Sequence, residues 1–175
     1  GFYSKPRVDK QLLEQYHEGL ICLSACLAGE IPQAILAGDY DRAKSTALWY
    51  QDLFGKGNYY IELQDHGLEE DNIVLPQLIK LARETGIPMA ATNDSHYLRK
   101  EDSKMQAILL CIQTGKTMQD ADRMEFQTDE FYVKTTDEMY ELFSMVPEAC
   151  GNTQKIADQC NFDFEFGHTK IPYYK

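Results

Sequence analysis

Long apolar runs are missing from this sequence. No stretch approaches the roughly 20 apolar residues that a membrane-spanning helix needs, and the opening GFYSKPRVDK lacks the apolar core of a secretory signal. Neither membrane insertion nor secretion is expected. Basic charge is also scarce: 17 Lys and Arg stand against 28 Asp and Glu, for a formal net charge of −11. Such a surface repels phosphate backbones, so direct DNA binding by this chain is not expected, and the acidity serves solubility. No Cys-x-x-Cys occurs, and the five cysteines, Cys22, Cys26, Cys111, Cys150 and Cys160, are odd in number. That suggests neither a disulfide framework nor a zinc ribbon, and it fits a reducing, cytoplasmic compartment. The common catalytic signatures Gly-x-Ser-x-Gly and His-Glu-x-x-His are absent. CIQTGKT ends like a phosphate-binding loop, but the first glycine of that motif would fall on Leu110. Position 1 is not Met, and GFYSKPR reads like the middle of something, so the chain is expected to be an excised piece.

What is present is enough for one globular domain: 175 residues, 43% hydrophobic. Helical periodicity is expected from Asp9 to His17, with Leu12, Leu13 and Tyr16 as its apolar stripe. LICLSACL reads as a buried strand, and AGEIPQAILAG as a short helix closed by Gly38. Asp39 is the expected N-cap of an amphipathic helix with Ala43, Ala47, Leu48 and Tyr50 to Leu53 inward. NYYIELQDHG and IPMAATND read as strands around a helix with Pro76 inside and Gly86 as its stop. KEDSKMQAILLCIQTG is a helix, EFYVK a short strand, and residues 135–160 one or two helices capped by Thr136 and split near Pro147 and Gly151. The tail NFDFEFGHTKIPYYK is aromatic and irregular. Alternating strands and helices predict an α/β fold with mainly parallel strands, doubly wound or a barrel.

Strand alternation places Cys22, Ser24 and Cys26 on one face, Glu62, Gln64 and His66 on another row, and Thr92, Asp94 and His96 on a third. Each row runs to a strand's C-terminal end, where parallel α/β folds carry their sites. Thiolate, carboxylate and imidazole suit zinc or manganese. Against that stand plainer readings: Asp94 and His96 as a loop pair, His66 as a cap of the next helix, Cys26 as core. Asp120 and Asp122 form an Asp-x-Asp in a polar loop, read as a solvated turn.

Five segments in order, EGLICLSACLAGEIPQ, YYIELQDHG, GIPMAATNDSHYL, ILLCIQTGKT and DEFYVKTTDEMYELF, resemble the polymerase-and-histidinol-phosphatase (PHP) domain of the alpha subunits of bacterial replicative DNA polymerase III. The resemblance covers essentially the whole chain. It implies the later part of an irregular (β/α)7 barrel that lacks its first strands, with residues 1–165 as PHP domain and 166–175 as the lead-in to the palm. It implies that Cys26, Asp94 and His96 are metal ligands, completed in an intact site by a His-x-His strand and further ligands absent from this sequence. The parent would be a DNA-directed DNA polymerase using magnesium. Its PHP module would bind zinc or manganese and act as a 3′-5′ exonuclease or a pyrophosphatase. Partners implied are a proofreading exonuclease subunit, a sliding clamp and a clamp loader, with DNA held by other domains. The chain alone, without palm carboxylates, is expected not to polymerise DNA, to hold metal weakly or not at all, and to self-associate through an open sheet edge. The alternatives are a metal-free scaffold that docks a proofreading subunit and a stand-alone PHP phosphoesterase, the latter at odds with CIQTGKT and the palm-like tail.

Overall fold

The structure, a computed structural model, describes residues 6–169. Its centre is a three-stranded sheet in the order β1-β2-β3, all parallel: β1 is Cys22–Leu23, β2 Tyr59–Leu63 and β3 Met89–Ala91. The helices are α1 Lys10–Tyr16, α2 Glu30–Leu36, α3 Tyr40–Phe54, α4 Glu69–Thr85, α5 Ser103–Thr114, α6 Thr136–Leu142 and α7 Pro147–Gln159. The α/β class and the parallel sheet stand as expected. Among the described residues the sheet is open and no barrel closes.

Local signals explain the two long helices between the strands. Asp39 accepts the Arg42 N–H at 3.0 Å and starts α3, as an N-cap carboxylate should. Gly86, in the left-handed region at φ 70, ends α4, where a side chain would strain the backbone. Pro76 lies inside α4 without ending it. One face of the sheet, Tyr59, Ile61, Leu63, Met89 and Ala91, belongs to a single core cluster, in which β2 packs on α3 and α4 and α2 packs on both helices. Ile61, Leu63, Leu81, Phe143 and Val146 are fully buried there, each stabilising by about 1.5–3 kcal/mol. α7 covers β3, and the buried Asn152 amide donates to the Met89 carbonyl at 2.8 Å. A sheet-edge acceptor is thereby satisfied.

Five expectations are corrected. The strand read over Leu20–Leu27 pairs only through Cys22–Leu23 and is half-buried, because Ala25 turns the chain at φ 67. EFYVK is no full strand: it contributes one parallel bridge, Tyr97 to Tyr132. Thr135, not Thr136, caps α6, its hydroxyl accepting the Glu138 N–H. The C-terminal helices do split at Pro147, as expected, but Gly151 sits inside α7 and marks no break. Leu48 and most of the α1 stripe are exposed; only Leu13 of α1 reaches the core. The end of the expected palm lead-in, 170–175, lies outside the described residues, as do residues 1–5 of the opening.

Candidate functional site

The register decides which side chains meet. Cys22 is opposite Tyr59, so the β1 row begins on the helix-covered face. Glu62 is opposite Ala90, on the other face, and Gln64 and Thr92 follow it there. The rows that alternation had aligned therefore split between two faces. On the second face the strand ends carry a closed polar network. Thr92 Oγ1 and Gln64 Nε2 donate to Glu62 Oε1 at 2.5 and 3.0 Å, and the Ala25 N–H donates to Glu62 Oε2 at 3.1 Å. Ser24 Oγ accepts the Glu62 N–H at 2.8 Å.

Ala25 is the pivot. A non-glycine residue in the left-handed region costs about 1–2 kcal/mol, and the bond to Glu62 offsets part of that. The reversal ends strand alternation and lays Cys26 in the small cleft lined by Glu62, Gln64, Asp71 and Val74. Gly29 completes the turn, donating to the Cys26 carbonyl at 2.8 Å. A Cβ there would come within 2.7 Å of the Ser24 carbonyl oxygen. Cys22, by contrast, faces the core, and burial, followed by the Glu62 charge, pushes its thiol up.

Asp94 makes a second reversal at φ 43, a conformation that Asp tolerates. Alternation from Thr92 fails here too, and the chain turns to run beside Phe131, whose carbonyl accepts the His96 N–H at 2.8 Å. Asp94 and His96 are both exposed, with Oδ1 and Nδ1 4.0 Å apart. His96 Nδ1 lies 2.7 Å from the Asp94 carbonyl. A carbonyl only accepts, so the neutral ring carries its proton on Nδ1 and leaves the Nε2 lone pair free. That is the tautomer of a metal-binding imidazole.

His66 is accounted for differently. Its Nε2–H donates to the Asn93 carbonyl at 3.0 Å, its ring stacks on Phe131 at 4.0 Å, and its N–H donates to Asp71 Oδ2 at 2.9 Å. It is a buried brace, and Asp71, which also accepts the Leu68 N–H, caps α4. Asn93, which sequence reasoning passed over, is the hub: its amide donates to the Glu130 and Tyr132 carbonyls, and its Oδ1 accepts from the nearly buried Lys134. Asp120 and Asp122 bond Thr117 and Lys116 in a solvated turn, as read from the sequence.

The structure thus brings Asp94 to His96, and Cys26 to Glu62 and Gln64, but among the described residues it does not bring the two sets together around one ion. Among the described residues no three His, Cys, Asp or Glu side chains form a group that could hold a metal ion. Cys26, Asp94 and His96 alone do not fit a bound ion, since even a catalytic zinc site takes three protein ligands around one point.

Among the described residues the chain presents an open parallel sheet with a polar network at its strand ends, and residues 1–66 match the family model for the PHP domain. That match holds Cys26, Glu62 and Gln64 and stops before Asp94 and His96. The whole chain is similar to DNA polymerase III subunit alpha. It is 47% identical over 176 residues to that of Borreliella burgdorferi and 50% over 175 to that of Treponema pallidum, covering 100% of this chain and 15% of each relative. With that of Thermus aquaticus it shares 44% over 177 residues, 98% of this chain and 14% of the relative. The chain is therefore a homologue of one segment, about 15% of the length, of these subunits.

Proposed function

We propose that this chain is a PHP-derived portion of the alpha subunit of a bacterial replicative DNA polymerase, a DNA-directed nucleotidyltransferase of the cytoplasm. The observation that carries this is the end-to-end similarity, at 47–50% identity over the full chain, to proteins called DNA polymerase III subunit alpha. In this reading 1–165 completes the PHP domain, a barrel of the (β/α)7 kind, and 166–175 leads into the palm. Synthesis, magnesium binding and the grip on DNA belong to other domains, in keeping with the net charge of −11 here. The partners are the other replicase subunits: the proofreading exonuclease, the sliding clamp and the clamp loader. Among the described residues no helix is long and apolar enough to cross a membrane.

Within the PHP portion, Cys26, Asp94 and His96 are proposed ligands of a divalent ion, zinc or manganese, held only with donors from outside this sequence. The free Nε2 of His96 supports that role. The site would then host a 3′-5′ exonuclease or a pyrophosphatase. A second reading, a metal-free scaffold for a proofreading subunit, is favoured by the separation of Cys26 from the Asp94–His96 pair. Primer extension by the full-length polypeptide, with elemental analysis of the same preparation, tests both. No template-directed synthesis would sink the polymerase reading. Metal content unchanged by His96→Ala would sink the ligand role of His96, and a preparation free of zinc and manganese would leave the scaffold.

A further inference from the structure

α5 is the least supported helix of its length in the fold. Of its twelve residues only Leu110 and Cys111 are buried, and its neighbour is the 3-10 turn Lys100–Asp102 that leads into it. A helix this short is marginal in water without a packed face. Yet Met105, Ile108, Leu109 and Ile112, at i, i+3, i+4 and i+7, are between 41% and 72% exposed. Met118 and Met124, both exposed, lie in the loop that follows, and a cleft of about 520 Å³ beside the helix is lined by Ile108, Met118, Tyr97 and Phe126. This spacing is that of a helix laid into an apolar groove, and a contiguous patch of this kind marks an interface.

We propose that the α5 face docks into an apolar groove on another domain of the same polypeptide. The inference rests on the reading of this chain as a segment of a polymerase subunit. Two observations choose this occupant. The matched relatives extend far beyond the segment, which spans about 15% of their length, so chain to cover the face is at hand. Charge also speaks: Ser103 to Gln119 holds Lys104 and Lys116 and no Asp or Glu, within a chain of net charge −11. The groove should therefore carry an acidic rim. A second copy of this chain is the poorer occupant, because α5 against α5 would set lysines against lysines and bring two acidic bodies together.

Methionine oxidation in the full-length subunit tests the proposal, with the denatured subunit as the reference. Met105 stands more than half exposed here, at 58%. Docked in a groove it should oxidise more than about tenfold slower than in the denatured protein. Leu109→Ser with Ile112→Ser should restore rapid oxidation of Met105 while Phe143, at the core, keeps the fold. Oxidation of Met105 slowed by less than tenfold would overturn the proposal. So would protection that is lost on dilution together with a fall in mass by light scattering, which would assign the face to a second copy. Primer extension by the same preparation reports separately on the polymerase reading, so that reading can fail while Met105 remains protected.

Discussion

The sheet with α2, α3, α4 and α7 is packed like any protein interior, whereas α1 and α5 carry apolar stripes of the same quality and leave them in water. Ile61, Leu63 and Leu81 are fully buried; Tyr16 of α1 and Ile112 of α5 are about 70% exposed. The two sets do not differ in residue type or in helical spacing. They differ in whether a complementary face exists among the described residues. Apolar periodicity makes a helix ready for burial, and only a partner surface turns that readiness into stability.

The contrast can be broken most directly by truncation in both regions. Phe143→Ala should cost about 3–5 kcal/mol, because a fully buried ring leaves a cavity, whereas Leu109→Ala should cost less than about 0.5 kcal/mol in this chain. Urea unfolding measures both, and equal costs would show that α5 is packed after all. Next in size, Asp71→Ala leaves the His66 and Leu68 N–H groups without an acceptor and should cost about 2–3 kcal/mol. Asp71→Asn, which keeps one oxygen, should recover a good part of that loss in the same titration. Gly29→Ala drives a methyl against the Ser24 carbonyl and should cost about 1–3 kcal/mol; a neutral result would mean that the β1–α2 turn yields.

The smallest effect belongs to the periphery and depends on pH. Glu138 accepts the Thr135 N–H, then the Tyr132 and Thr135 hydroxyls, and these bonds hold its carboxyl down to about 2, from an ordinary 4.5. A lowered folded pKa stabilises above the unfolded value and is lost as pH falls through the folded one. Stability contributed by Glu138 should therefore be complete above about pH 4.5 and disappear towards pH 2. Thermal unfolding of Glu138→Gln should differ from the parent above that window and converge with it below. Curves that stay parallel to pH 2 would remove Glu138 from the cap of α6.

Much of the fold was legible because its instructions are local. The Asp39 cap, the Gly86 stop and the apolar spacing of α3 and α4 each act within a few residues, so α/β alternation and parallel strands could be read off the chain. The candidate site was legible only in its residue types. Strand alternation predicted that Asp94 and His96 point with Thr92, and that Cys26 points with Cys22. Left-handed turns at Asp94 and Ala25 undid both, and neither residue announces such a turn as glycine would. His66 looked ligand-competent until Phe131 and Asn93, distant in sequence, closed around it.

By itself, then, the sequence determined which segments coil or extend and where most of the caps fall, since hydrogen bonds and side-chain periods are settled between near neighbours. It also carried the PHP resemblance, because family identity resides in the ordered residues themselves. Only the tertiary structure decided which face of β2 meets the helices, that Glu62 anchors the Ala25 turn, that Cys26 stands apart from Asp94 and His96, and that α5 keeps its apolar face uncovered. Each of these depends on groups far apart in the chain competing for the same space, and no local propensity encodes the outcome of that competition.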